Sequence, residues 1–113
     1  MLRSWRIDAV AVASLMLGGS GGAASQAATG VKTRSVTIEN MQFSPATLSV
    51  HRGERIVWVN RDLFPHTVTA TNKMFDSGSI AAGASWTYVA NRPGEFSYAC
   101  AYHPTMKGSL KVK

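Results

Sequence analysis

The chain has 113 residues, which is enough for one small domain and too few for two. It contains a single cysteine, so an internal disulfide is excluded as a source of stability. The formal net charge is +6, but the basic residues are scattered along the sequence, which argues against a nucleic-acid-binding protein.

The first 27 residues have the pattern of a secretory signal peptide. A start with two arginines precedes the apolar run Ala9–Leu17, and a segment of small residues follows. The apolar run is about half the length that a helix needs to span a bilayer. We predict cleavage after Ala27, with Ala24 as the alternative, and a periplasmic domain over residues 28–113 with a charge of about +5. That charge leaves Arg3, Arg6 and Asp8 out of the count.

Short apolar segments separated by turn residues follow from Thr33 onward and predict β-strands. Residues 40–45 and 61–65 are predicted as breaks. The predicted strands lie around Val36 and Ile38 and over residues 46–50, 55–60, 66–70, 85–89, 95–100 and 109–113. No window of helical length shows an apolar stripe of period 3.6. The sequence therefore predicts an all-β domain of seven to eight strands, a sandwich or a barrel.

The segment Cys100-Ala-Tyr-His103-Pro-Thr-Met106 places three possible metal ligands in one turn. A copper ion that cycles between Cu(II) and Cu(I) is served by a thiolate, two imidazoles and a weak thioether. The turn supplies all of these except the second imidazole. His66, which follows Pro65 and begins a predicted strand, is the natural candidate.

Each of these residues has an ordinary structural explanation when it is taken alone. A buried cysteine is usually a small hydrophobic residue, and a lone histidine or methionine more often lies on the surface or in the core. An unpaired thiol in an exported protein nevertheless calls for an explanation. The combination favours a site for one copper ion, with His51 exposed and outside it.

Three other functions compete with a copper redox protein. A copper chaperone or copper-resistance protein could recruit Met41, Met74 and His51 as further ligands, although no Met-rich or His-rich tract is present. An enzyme is disfavoured, because two of the three histidines are already used and a multinuclear copper cluster cannot be built. A sandwich that serves only protein interactions, without metal, is the third alternative.

The sequence resembles the cupredoxins, the small blue-copper electron carriers. The similarity runs from Val36 to the C-terminus and is carried by the segments Ile38–Pro45, Gly53–Asn60, Pro65–Val68 and Gly94–Gly108. The two residues between His103 and Met106 resemble the short ligand loop of the amicyanins. The resemblance implies a Greek-key β-sandwich with His66, Cys100 and His103 as strong in-plane ligands and Met106 as the long axial one.

The resemblance also implies how electrons reach the metal. They would pass through the edge of His103, inside a small apolar patch formed by Leu63, Phe64, Pro65, Ala101, Tyr102 and Pro104. We expect a monomeric carrier whose partners are redox proteins. The positive charge of the chain favours acidic partners, and the likeness to the amicyanins suggests an amine dehydrogenase or a cytochrome c. Amicyanins typically have asparagine after the first histidine, whereas this chain has Thr67. That position helps to orient the cysteine, so the reduction potential does not follow from the sequence.

Overall fold

Eight β-strands make up the part of the chain that this computed structural model describes, residues 30–113. They are β1 (Thr33–Glu39), β2 (Gln42–Ser44), β3 (Thr47–Val50), β4 (Arg55–Asn60), β5 (Thr69–Ala70), β6 (Ser85–Val89), β7 (Gly94–Cys100) and β8 (His103–Val112). No helix within these residues could cross a membrane. The predicted all-β class is confirmed, whereas the signal peptide predicted over residues 1–27 lies outside the described residues and stays a prediction.

The strands form two four-stranded sheets, in the orders β2-β1-β4-β6 and β3-β8-β7-β5. The chain changes sheet after every strand from β2 to β6, and this crossing brings β1 beside β4 and β3 beside β8 in parallel pairs. The remaining pairs are antiparallel. This is the Greek-key sandwich that the resemblance implied.

The core lies between the sheets and is built by alternation along the strands. Ile56 and Trp58 of β4 face Phe96 and Tyr98 of β7, as expected where every second side chain points inward. The indole Nε1–H of Trp58 donates to the Tyr98 hydroxyl at 3.2 Å. Burial raises the pKa of Tyr98, and the bond from Trp58 opposes this. A Cβ atom at Gly108 would overlap the Tyr98 ring, so the glycine makes room for it.

Three predicted boundaries were wrong, each for a local reason. Residues 40–45 contain the short strand β2, because Asn40 and Met41 both have positive φ (56° and 59°) and form a tight hairpin turn. The predicted strand over residues 66–70 is reduced to Thr69–Ala70, since its first residues serve the site described below. The last strand begins at His103 and not at Ser109.

Candidate metal centre

Three of the predicted ligands meet at one end of the sandwich. His66 follows the loop after β4, Cys100 ends β7 and His103 begins β8, and their possible ligand atoms all lie within 4.8 Å of one another. Cys100 Sγ lies 3.6 Å from His66 Nδ1. The two imidazole rings have centroids 5.5 Å apart and planes inclined at 60°. His66 and Cys100 are fully buried, whereas His103 is partly exposed.

Met106, the fourth predicted ligand, is buried at the same end. It lies on β8 next to Lys107, which pairs with Ala99 of β7, so Met106 stands level with the end of β7. It is 4% exposed and belongs to the same core cluster as Cys100. Its thioether is therefore shielded from water at the level of the other three side chains.

The hydrogen bonding of the two histidines fits a metal. Within the described residues, His103 Nδ1 is a buried side-chain nitrogen that has no hydrogen-bond partner. A buried polar atom left unpaired costs about 1–3 kcal/mol, so such an atom calls for an explanation. A metal bound at this nitrogen would satisfy it. Sulfur with two imidazoles and a thioether is a donor set that fits one copper ion.

Asp62 fixes the orientation of His66. Its Oδ2 lies 2.8 Å from His66 Nε2. The burial of Asp62 works against its ionisation, but hydrogen bonds from the Met41 N–H, from His66 and from the Asn40 N–H outweigh it, and the net pKa is lowered. An ionised carboxylate only accepts, so His66 Nε2 carries the proton and donates. In the neutral imidazole, Nδ1 then carries no proton and faces Cys100 Sγ at 3.6 Å.

The loop that carries Asp62 and His66 is itself fixed. The buried Asn60 side chain donates to the carbonyl oxygens of Phe64 at 2.8 Å and Ile80 at 2.9 Å, and it accepts the Asp62 N–H at 3.0 Å. His66 and Ile80 exchange two backbone hydrogen bonds at 3.1 and 2.7 Å. Both ends of the loop are therefore fixed to the sandwich, and His66 has little freedom to move.

Thr67 holds the cysteine through two different groups. Its backbone N–H points at Cys100 Sγ at 3.3 Å, and its hydroxyl oxygen accepts the Ala101 N–H at 2.7 Å. The Thr67 hydroxyl continues to Thr69 at 2.9 Å, and the Thr69 hydroxyl donates to Asp76 at 3.1 Å. Because Asp76 accepts at one end and Ala101 donates at the other, the chain of hydroxyls runs in one direction.

The surface around His103 is apolar. Leu63 is 88% exposed, Phe64 61% and Tyr102 51%, and they are among the few large apolar side chains that the described residues leave open to water. Phe64, Pro65, Tyr102, His103 and Met41 line a shallow depression. Of the six residues predicted for the patch, Phe64, Pro65 and Tyr102 line this depression, and Met41 is a further member. Leu63 lines a separate depression with Asp62 and Ala82.

The other residues considered for copper lie elsewhere. His51 is exposed in the turn between β3 and β4, where its N–H donates to Glu54 Oε1 at 3.0 Å. Met74 packs against the core. Met41 is therefore the one additional soft ligand that the described residues place beside His103.

Asp62, Asn60 and Asp76 were not identified from the sequence. Asp62 and Asp76 belong to irregular loops, where no periodicity relates a residue to the site, and Asn60 is the last residue of β4, whose alternation marks it only as a buried position. The available signal was a carboxylate four residues before a histidine that was already suspected, which points to a hydrogen-bond partner for its second nitrogen.

The comparisons with known proteins agree with this geometry. Residues 9–112 match the profile of the cupredoxin-like domain family. Amicyanin-alpha from Methylorubrum extorquens is 26% identical over 83 residues, which cover 69% of this chain and 70% of that protein. Plastocyanin from Scenedesmus fuscus is 30% identical over 84 residues, covering 63% of this chain and 86% of that protein.

Solved structures share the fold. The copper-containing nitrite reductase from Thermus scotoductus superposes with a TM-score of 0.68 at 24% identity, over 72% of this chain and 22% of that one. At this identity the likeness shows the fold alone. Because the family profile spans nearly the whole chain and amicyanins are among its relatives, this chain belongs to the cupredoxin family, as its sequence predicted.

Proposed function

We propose that this chain is an exported blue-copper protein that carries single electrons, with one copper ion held by His66, Cys100, His103 and Met106. The observation that carries the proposal is the cluster of two imidazoles and one thiol, in which one buried imidazole nitrogen has no partner among the described residues. Copper, when bound, supplies the ability to accept and release one electron. The protein supplies the donors, their orientation and the exclusion of water.

The hydrogen bonds around the ligands support redox work. Asp62 holds His66, the Thr67 N–H points at the Cys100 sulfur, and both loops are anchored to strands. Side chains held in this way move little when the charge of the site changes, and small movements favour fast electron transfer. Hydrogen bonds to the ligands also tune the metal.

The apolar surface around His103 supports a docking site for redox partners. His103 is partly exposed between Phe64 and Tyr102, so an electron has a short route from the site to the surface. Weak redox encounters use small interfaces that dissociate quickly. Export to the periplasm rests on the predicted signal peptide, and the amine dehydrogenase or cytochrome c remains a proposed partner.

A copper chaperone is the second candidate, and Met41 is the observation that favours it. Its side chain is 37% exposed and lines the same depression as His103, so it could present a thioether to an incoming Cu(I) ion. An enzyme is less well supported. Of the three histidines, His51 is exposed in a distant turn, which leaves no third imidazole for a second copper centre.

The test is to add one equivalent of Cu(II) to the metal-free protein and record its visible spectrum during repeated reduction and oxidation. We expect an intense blue band that bleaches reversibly. Cys100→Ser should abolish the band, whereas the matched variant Ser97→Ala, an exposed position on the same strand, should keep it. Tight Cu(I) binding without a blue band would favour the chaperone, and no copper binding would refute both functions.

A further inference from the structure

The positive charge of the described residues is concentrated at the end of the sandwich opposite the metal centre. Residues 30–113 contain ten lysines and arginines and five acidic residues. Seven of the ten basic residues lie at the far end, which we call the cationic pole: Lys32, Arg34, Arg52, Arg55, Arg92, Lys111 and Lys113.

Backbone hydrogen bonds bring these residues together, although they are distant in sequence. The Arg55 N–H donates to the Lys32 carbonyl at 2.9 Å, and the Arg52 N–H donates to the Lys113 carbonyl at 3.1 Å. Gly53, which follows Arg52, donates to the carbonyl of Ala90 at 2.7 Å, two residues before Arg92. The pole is thus a continuous face made by the strand ends and turns furthest from Cys100.

Few carboxylates balance this charge. Two basic residues have acidic neighbours, since Arg34 lies 3.7 Å from Glu54 and Lys111 lies 3.7 Å from Glu95. Within the described residues, none of the other five lies within 4 Å of a carboxylate. Among side chains, the pole therefore carries seven basic and two acidic groups, which leaves a surplus of five.

The metal end has no such surplus. Its basic residues are Arg61 and Lys107, and three acidic ones lie near them, Glu39, Asp62 and Asp76. The tenth basic residue, Lys73, is in the turn after β5, beside the middle of β7. Strand β4 runs from one end to the other, and its six residues span about 17 Å. That length exceeds the screening length of about 8 Å at physiological salt. The positive charge of the pole therefore does not guide an acidic partner to His103. It would instead orient the protein with the pole, not the metal end, toward such a partner.

We propose that the cationic pole binds the anionic phospholipid headgroups of a membrane, so that the metal end faces away from the bilayer and toward its redox partners. The basic side chains of the pole are mostly exposed, and the hydrogen bonds that fix its turns use backbone groups, which leaves those side chains free to bind phosphate. The chain also enters the sandwich here, since Lys32 precedes β1. The proposal does not depend on copper.

The composition of the pole favours a lipid surface over an acidic protein. Protein interfaces have an apolar centre rich in aromatic side chains. Among the described residues, the large apolar side chains exposed near the pole are Val31 and Val89, at 45% and 39%, and no exposed aromatic accompanies them. A fluid headgroup surface needs only charge, and each nearby lysine or arginine strengthens binding about fivefold.

The test is a vesicle co-sedimentation assay on protein recovered from the export compartment of an expression host, with its N-terminus read by mass spectrometry. Vesicles of phosphatidylcholine alone are compared with vesicles that contain phosphatidylglycerol, at low and high salt. The variant Arg52→Glu/Arg92→Glu reverses two exposed charges of the pole. The matched control, Arg61→Glu/Lys107→Glu, makes the same change of net charge at the metal end.

We expect binding to anionic vesicles only, lost at high salt, and weakened at least roughly 30-fold by the pole variant. The control variant should weaken binding by less than about fivefold. Equal losses in both variants would mean that only net charge matters and would overturn the proposal. The proposal would also be overturned if anionic vesicles did not bind the protein. That result would stand even if the pole bound an acidic protein and the pole variant weakened that binding. Metal-free protein should behave alike, so failure of the copper proposal would not affect this test.

Discussion

The hydrogen bond between Asp62 and His66 should set the reduction potential of the centre. The variant Asp62→Asn removes the negative charge while the side chain keeps almost the same shape. The carboxylate accepts from His66 Nε2 at 2.8 Å and makes the imidazole a stronger donor at Nδ1. A stronger, more negative donor stabilises the oxidised metal more than the reduced one. The variant should therefore have a higher potential.

The size of the shift can be estimated from the role of such contacts. Loss of an outer hydrogen-bond partner of a metal ligand typically costs 10- to 100-fold in affinity. If the lost affinity is that of the oxidised metal alone, each tenfold loss raises a one-electron potential by about 59 mV. The expected rise is then about 60 to 120 mV. Stability should also fall by about 1–3 kcal/mol, because Asp62 accepts the N–H groups of Asn40 and Met41, and an amide cannot replace both oxygens as acceptors.

Cyclic voltammetry of the copper-loaded protein measures the shift, and denaturant unfolding of the metal-free protein measures the stability. The control is Glu39→Gln, which removes an exposed carboxylate at the same end of the sandwich. The control should change the potential by less than about 20 mV, because exposed charges are screened. An unchanged or lowered potential in Asp62→Asn, or an equal rise in the control, would refute the role given to this hydrogen bond.

Three further predictions concern the core and the docking patch. Gly108→Ala should destabilise the metal-free protein by about 1–3 kcal/mol in denaturant unfolding, because its methyl group overlaps the Tyr98 ring, whereas Ser109→Ala should cost less than about 0.5 kcal/mol. Burial raises the pKa of Tyr98, so its contribution to stability is intact below pH 10 and is lost as the pH rises through the raised pKa. In Tyr98→Phe, the free energy of unfolding should therefore fall less steeply with pH above about pH 10 than in the wild-type protein. Equal slopes for the variant and the wild type would contradict this. Phe64→Glu, at a 61% exposed position that lines the depression with His103, should slow electron self-exchange measured by NMR while the blue band is unchanged, and Ala82→Glu, which lines a different depression, should not.

The sequence predicted the fold class and the residues that gather at the site because regular patterns of residues indicate both. Alternation identified the long strands, and the spacing of Cys100, His103 and Met106 pointed to the turn where Cys100 and His103 meet His66. The three-residue strand β2 was missed, since a segment of that length shows no alternation, and its hairpin depends on two residues with positive φ. The sequence was therefore informative where a short motif or a regular period marks a segment.

The outer hydrogen bonds of the site could not be predicted in the same way. Asp62 contacts His66 across a loop turn, and Asp76 reaches Thr69 across seven residues of irregular chain. Such contacts depend on the path of the backbone, which no short pattern encodes. The net charge also did not show which end of the sandwich is positive. The basic residues are distant in sequence, and they form one pole only because the fold brings the strand ends together.

Thr67 shows why a departure from the family pattern need not damage the centre. The group that points at the Cys100 sulfur is the backbone N–H, which every residue except proline supplies. The side chain at this position is therefore free for another task. Here the hydroxyl accepts the Ala101 N–H and anchors the turn that separates Cys100 from His103. The backbone keeps the contact with the sulfur, and the threonine hydroxyl determines how firmly the turn between Cys100 and His103 is held.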